Sequence, residues 1–179
     1  MWMGSDSLVR YGWDDCLTAA QPKVFRKGDM LIGGTGLVRS WQILQYVFEP
    51  PKHPPQMGVM KYLCGPFTDA LIACLKEKHH AEIKDNAIRG INFLLAYRGR
   101  LFRVASDFQM LECRDKWAAI GSGEVYALAV MDAVADTDLL DGRDKVLRAL
   151  KTAAKYTRSV GGPFHVKKLK WSRPSRPTR

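Results

Sequence analysis

The segment 91–111 restricts the possible folds more than any other part of the sequence. Residues 91–97 form an almost unbroken apolar run, which predicts a strand buried on both faces. An Arg-Gly-Arg turn follows at 98–100, and residues 101–104 and 108–111 have the composition of two further strands. A sheet with an apolar strand of this kind must be covered by other elements on both of its faces.

The remaining segments supply helices and strands that can provide this cover. Apolar residues recur at helical spacing in two regions, which are separated by a Pro-rich loop at 49–58 that we expect to be exposed. Pro66 lies inside the second helical region and predicts a kink there. In chain order the sequence predicts a hairpin at 24–32, helices at 37–48 and 59–80, the strands described above, a short strand at 117–120, helices at 124–135 and 141–160, and a final strand at 164–169. This order fits a layered α+β protein in which helices cover mainly antiparallel sheets.

Length and charge limit the classes of function. The 179 residues suit one domain, which we expect at 1–166, followed by a basic tail at 167–179. No apolar run reaches the roughly 18 residues needed to cross a bilayer, and the N-terminus lacks the pattern of a signal peptide, so we expect a cytoplasmic protein without a membrane partner. The net charge is +10, but the tail holds six cations and no anion, which leaves +4 for the rest. We expect the tail to be solvated and disordered, with binding to nucleic acid or to an acidic partner as the alternative.

Neither a metal nor a cofactor is expected from the sequence. The four cysteines include no C-x-x-C pair, so we expect reduced thiols rather than a disulfide framework or a zinc site. His79 and His80 lie near Glu77 and Glu82, but adjacent histidines at a helix end seldom face one ion. The sequence also lacks the G-x-S-x-G elbow and the G-x-x-x-x-G-K-[ST] phosphate loop.

Three local features place polar groups where they could take part in chemistry. Asp6 lies between small residues in the segment GSDS, and Lys23 opens a strand between apolar neighbours. Ser122 lies in a Gly-Ser-Gly turn at a helix start, where backbone N–H groups could hold a developing oxyanion. Each feature also has an ordinary structural explanation, since an aspartate often caps a turn and a lysine often ends a strand in solvent.

Taken together, the segments GSDS, PKVFRKGDMLIGGTG and AIGSGEVYALA resemble the proteasome β-subunit family, and the bacterial two-ring ATP-dependent proteases are the most similar branch. The resemblance runs from residue 3 to residue 165 and is loosest between 50 and 90. It implies the N-terminal-nucleophile hydrolase fold, a four-layer αββα sandwich of two mainly antiparallel sheets between helix pairs. This architecture agrees with the order of elements read from the sequence.

The same resemblance implies amide hydrolysis by an N-terminal threonine, whose hydroxyl attacks the carbonyl while its own α-amine acts as the base. Lys23 matches the family's lysine, whose charge keeps that amine neutral, and Asp6 matches the aspartate that holds the lysine. Ser122 matches the serine that orients the amine. Gly33 and Gly34 match the backbone segment that supplies the oxyanion N–H.

The threonine itself is not found in this sequence. Only five residues precede Asp6, too few for the family's first strand, and no threonine occurs before Thr18. Either the start lies upstream, which is the expectation we adopt, or the strand and the activity have been lost. Cleavage before Ser5 would create a new N-terminal nucleophile, but it would place that residue next to Asp6 in the chain and spoil the matched geometry.

The sequence therefore predicts a proteasome-like threonine peptidase subunit that acts on peptides or unfolded proteins. The resemblance also implies a homo-oligomeric ring and a possible ATPase partner. A catalytically silent subunit of the same fold is the first alternative. The second is a basic nucleic-acid-binding scaffold that uses Arg98, Arg100, Arg103 and the tail, although nucleic acid is not the partner we expect.

Overall fold

The computed structural model describes residues 1–11, 15–84 and 87–171 of the chain. Its strands are β1 (Trp2–Ser5), β2 (Leu8–Tyr11), β3 (Asp15–Thr18), β4 (Val24–Lys27), β5 (Met30–Thr35), β6 (Glu82–Lys84), β7 (Ala87–Arg89), β8 (Asn92–Tyr97), β9 (Arg100–Val104), β10 (Met110–Glu112) and β11 (His165–Lys168). Its helices are α1 (Val38–Tyr46), α2 (Val59–Tyr62), α3 (Thr68–Glu77), α4 (Glu124–Ala133) and α5 (Gly142–Tyr156).

A five-stranded antiparallel sheet in the order β10-β9-β8-β5-β4 forms the centre of the molecule. The predicted hairpin is present, and Gly28 makes its turn with a φ of +56°, a conformation that suits glycine. The apolar run at 91–97 becomes β8, the middle strand. Five of its six residues are buried, and they belong alternately to core clusters on opposite faces of the sheet, which confirms the prediction of a strand covered on both sides.

Helices α1, α2 and α3 cover one face of this sheet. Large aromatic side chains fill the layer between them, and the fully buried ones include Trp41, Tyr62, Phe48, Phe67 and Phe93. A π-helical turn, Leu63–Phe67, connects α2 to α3 and contains Pro66. Because proline has no N–H to donate to the preceding turn, the irregularity that its position predicted is taken up by this wider turn.

A second sheet and a second helix pair cover the opposite face. Strands β1 and β11 pair antiparallel, and Met3 of β1 packs so closely on Gly33 that a Cβ at Gly33 would lie 2.8 Å from the methionine sulfur. On the outer side of β1, Gly4 faces α5, where a Cβ would lie 2.5 Å from Val146. Helix α4 packs beside α5. The layers therefore follow the order helices, sheet, sheet, helices, and the predicted αββα sandwich is confirmed.

The middle of the Pro-rich loop differs from the sequence expectation because it is anchored in the core. His53 is only 9% exposed and stacks on Tyr62 with ring centroids 4.2 Å apart. Its Nδ1 bonds the hydroxyl of Tyr97 at 2.8 Å, and its Nε2 bonds the carbonyl oxygen of Met57 at 2.8 Å. The ring thus has partners at both nitrogens, which explains how a polar side chain is tolerated there.

Three other segments differ from the sequence expectations. Residues 117–120, predicted as a short strand, have no strand structure, although the Gly-Ser-Gly turn and α4 follow them as expected. The hairpins β2–β3 and β6–β7 were not predicted.

The final strand extends into the segment expected as a tail. Lys167 and Lys168 belong to β11, and Leu169 is 3% exposed in the core between the sheets. Residues 172–179 lie outside the described residues, so the disorder expected for them stays a prediction. None of the described helices is long and apolar enough to cross a membrane.

Candidate functional site

An ion pair between Asp6 and Lys23 lies where the two sheets meet. Asp6 follows the end of β1 and Lys23 precedes β4, so the packing of one sheet on the other brings the two residues together. The Lys23 Nζ lies 2.7 Å from the Asp6 Oδ1, and the two side chains are 15% and 14% exposed.

Both members of this pair are held by further hydrogen bonds. Lys23 also donates to the carbonyl oxygen of Leu8 at 2.6 Å. The second carboxylate oxygen of Asp6 accepts from the backbone N–H of Leu8 at 3.0 Å and from that of Gly161 at 3.4 Å. The ammonium group is therefore fixed in place by two acceptors, one of them charged.

The turn that carries Ser122 is shaped by close contacts to β5 and α5. Gly121 has a φ of +95°, and a Cβ there would lie 2.9 Å from the hydroxyl oxygen of Thr35. A Cβ on Gly123 would lie 2.8 Å from Ala153. The glycines thus allow the turn to pass tightly between two elements, while Ser122 itself is exposed.

The two glycines of β5 are also sites of close approach. A Cβ on Gly34 would lie 2.9 Å from the Cβ of Trp41, just as one on Gly33 would meet Met3. The N–H of Gly34 donates to the carbonyl oxygen of Lys23 at 3.0 Å. This bond positions Lys23, and an oxyanion role for the same amide would require the bond to break. The role of Gly33 as an oxyanion donor stays a prediction.

All five residues predicted for the site line one cleft of about 190 Å³, which we call the β1 cleft. Its walls are β1, the segment 116–123 and the facing sides of α4 and α5, and its lining is mainly apolar. Asp6, Lys23 and Ser122 lie among its polar groups. Along this cleft β1 pairs with β11 through one edge, and no described strand pairs with its other edge.

A second cleft of about 300 Å³, which we call the Arg10 cleft, was not found from the sequence. Lys23, Thr35, Ser122 and Ser159 line both clefts, so the two meet at the lysine. Arg10 lies in the wall of the second cleft only, on the unpredicted hairpin. Of the residues that line this second cleft, Thr35 could have been suspected from the sequence, because it directly follows the two matched glycines. Arg10 and Ser159 have no such neighbour in the sequence.

His, Cys, Asp and Glu are the side chains that most commonly bind metal ions in proteins. The described part of the chain contains no group of three or more His, Cys, Asp or Glu side chains that could hold a metal ion.

Comparison with solved structures shows which known proteins share this fold. No family model and no curated protein matches the sequence. Among solved structures, the BPH of Thiobacillus denitrificans in complex with epoxomicin is 26% identical, with a TM-score of 0.77 over 94% of this chain and 93% of that chain. HslV from Trypanosoma brucei is 18% identical, with a TM-score of 0.64 over 93% and 91% of the two chains. Anbu from Yersinia bercovieri, described as an ancestral β-subunit, is 18% identical, with a TM-score of 0.63 over 92% and 75%.

The matches extend over nearly the whole chain and agree with the observed layer order. The BPH match adds sequence identity to the shared fold, whereas the HslV and Anbu matches support the fold alone. On this basis the chain has the N-terminal-nucleophile hydrolase fold, and its likeness to these structures supports the proteasome β-subunit family.

Proposed function

We propose that this protein is a proteasome-like threonine-type peptidase subunit. The Asp6–Lys23 pair carries the proposal, because its ammonium group is fixed at the meeting point of two clefts beside Ser122. A partly buried ion pair contributes little net stability compared with apolar packing, so its presence at a cleft favours a functional role.

The nucleophile of the proposed reaction is an N-terminal threonine on a strand that precedes Met1. The β1 cleft supports this part of the proposal, since it is apolar and follows the edge of β1 that no described strand occupies. A strand placed there antiparallel to β1 would begin near Asp6 and Lys23. It would also satisfy backbone groups along that edge of β1.

In the proposed mechanism the threonine hydroxyl attacks the carbonyl carbon of the scissile bond, and its proton passes to the threonine's own α-amine. Lys23 would keep that amine neutral, because a nearby positive charge lowers an amine's pKa, and Asp6 would hold Lys23 in position. The protonated amine then gives its proton to the leaving amine. Water hydrolyses the resulting ester and restores the threonine.

Assembly into a homo-oligomeric ring, with a possible ATPase partner, belongs to the same proposal. Large apolar residues at the two ends of α1 face the outside, with Leu37 just before the helix 70% exposed and Tyr46 at its last position 61% exposed. On α4, Val125 is 75% exposed. Exposed apolar side chains of this size suit contacts between subunits. Binding of epoxomicin, which the BPH structure contains, is proposed for this protein as well.

The arginines of β9, which the nucleic-acid alternative would use, support it less than the ion pair supports the peptidase proposal. Arg100 is paired with Glu112, and Arg103 with Glu124 at 2.7 Å. Both cations are thus already engaged with carboxylates, which reduces their attraction for phosphate groups. A catalytically silent subunit of the same fold remains the main alternative, and activity measurements separate it from the peptidase.

The test uses the native protein, purified with the N-terminus that the cell leaves on it, and a set of fluorogenic peptides. We expect peptide hydrolysis that Lys23→Ala abolishes and that Ser122→Ala lowers at least tenfold. Lys27→Ala is the matched control, because Lys27 lies on β4, the strand that Lys23 precedes, is 11% exposed and pairs with Glu49 at 2.7 Å, but lines neither cleft.

A loss of activity must be distinguished from a loss of the fold in each variant. Lys23→Ala leaves Asp6 without its charged partner and could unfold the protein, so circular dichroism must accompany each assay. Ser122 is exposed, and its replacement should leave the fold intact. Hydrolysis that survives in both folded variants, or no hydrolysis by the folded native protein, would refute the peptidase proposal.

A further inference from the structure

The Arg10 cleft has a chemical character that the proposed reaction does not by itself require. It joins the β1 cleft at Lys23, and it is lined on one side by the β2–β3 hairpin and on another by the start of α1. Its described lining includes two cations and no acidic residue. A peptide that reaches the Asp6–Lys23 pair from solvent would have this cleft within reach.

Arg10 is held at the wall of this cleft by its own strand and by a neighbouring loop. Its strand neighbour Val9 is 9% exposed, and because successive side chains of a strand alternate, Arg10 points away from the core. Its Nη1 donates to the hydroxyl oxygen of Ser159 at 3.3 Å. Ser159 lies two residues before Gly161, whose N–H bonds Asp6, so the guanidinium is positioned relative to the ion pair.

The other walls of the cleft are apolar or carry hydroxyl groups. Trp41 is 2% exposed and Val38 lies beside it on α1, while Thr35 provides a hydroxyl next to the turn that carries Ser122. These surroundings suit a side chain with a short aliphatic stem and a carboxylate at its end. A guanidinium is the group best matched to a carboxylate, because its N–H donors form a fork that can bind both oxygens.

We propose that Arg10 is a specificity-determining residue that selects peptide substrates with a glutamate or aspartate beside the scissile bond. This inference rests on the peptidase function proposed above and names its substrate class. The carboxylate of the substrate would lie in the Arg10 cleft, and Arg10 would bind it without taking part in bond breaking.

The test compares two peptides that differ only in glutamate or glutamine at the residue before the cleaved bond, with the cleavage position verified by mass spectrometry. Because a hydrogen bond to a charged group contributes more than a neutral one, we expect kcat/KM for the glutamate peptide to be roughly tenfold to a hundredfold higher. Arg10→Gln should bring this ratio close to one, chiefly by lowering kcat/KM for the glutamate peptide. The preference should also weaken as salt concentration rises.

Arg26→Gln is the matched control, because Arg26 is an exposed arginine that bonds the carbonyl oxygen of Gly28 and lines neither cleft. A ratio near one in the native enzyme, or a ratio that Arg10→Gln leaves unchanged, would overturn the specificity inference while the peptidase function stands. If no peptide of any sequence is hydrolysed, the peptidase function is refuted, and the inference with it.

Discussion

Replacing Asp6 by alanine should destabilise the protein far more than the loss of an ordinary surface carboxylate. The change removes the charged partner of Lys23 and the acceptor of two backbone N–H groups. At a separation of 2.7 Å and an effective dielectric constant of about 20, the attraction within the pair amounts to about 6 kcal/mol before desolvation is counted. Desolvation offsets part of this value. Breaking a largely buried pair from one side therefore costs about 3 kcal/mol.

The double variant Asp6→Ala/Lys23→Met separates the charge effect from the loss of packing. With both charges gone, no ammonium is left without its charged partner, so the combined loss should be smaller than the sum of the single losses by about 2 kcal/mol. Urea unfolding followed by circular dichroism at neutral pH gives the free energy of unfolding for each variant, provided that the slope of the transition stays constant.

Glu112→Ala provides the matched comparison on the surface. Glu112 pairs with Arg100, but the two side chains are 40% and 35% exposed, so solvent screens the pair and its loss should cost less than about 1 kcal/mol. If Asp6→Ala costs no more than Glu112→Ala, or if the coupling energy of the double variant is near zero, the ion pair is not a fixed element of the site.

Three further predictions concern packing, a buried hydroxyl and thiol reactivity. Gly4→Ala should lower the free energy of unfolding by roughly 1–3 kcal/mol in urea titrations, because its Cβ would lie 2.5 Å from Val146; an unchanged midpoint would show that α5 can move away. Ser5→Ala should leave the thermal midpoint unchanged or raise it, because the Ser5 hydroxyl is buried without a hydrogen-bond partner among the described residues; a clear drop would reveal a partner. Burial raises the pKa of the Cys113 thiol, which lowers its thiolate fraction at pH 8, so exposed Cys16 should react several-fold faster with a disulfide reagent; equal rates would contradict this assignment.

The elements that could be predicted from the sequence are those whose local pattern agrees with their final environment. The run that forms β8 is apolar at nearly every position, and a strand covered on both faces requires this. Gly28 and its neighbours formed a recognisable turn. Asp6 and Lys23 were predicted only through the family resemblance, because residues 17 positions apart meet by the packing of two sheets rather than by any local rule.

The features that could not be predicted depend on contacts between distant segments. Strand β3 has four exposed residues and lacks an alternating pattern, which hid the hairpin that carries Arg10. Nothing near His53 in sequence indicates that Tyr62 and Tyr97 will enclose it. In that cluster burial contributes most to raising the pKa of Tyr62 to about 12, and burial likewise raises the pKa of Tyr97. The apolar segment at 117–120 lies along the β1 cleft without a strand partner, so composition alone gave the wrong structure.

The central claim is that the Asp6–Lys23 pair serves a threonine nucleophile on a strand along β1. Its most direct test is N-terminal sequencing together with the intact mass of the protein purified from its own cells. We expect a mature N-terminal threonine upstream of Met1, separated from Asp6 by enough residues for one strand and a turn. A native N-terminus at Met1 would contradict the claim and leave a catalytically silent subunit of the same fold.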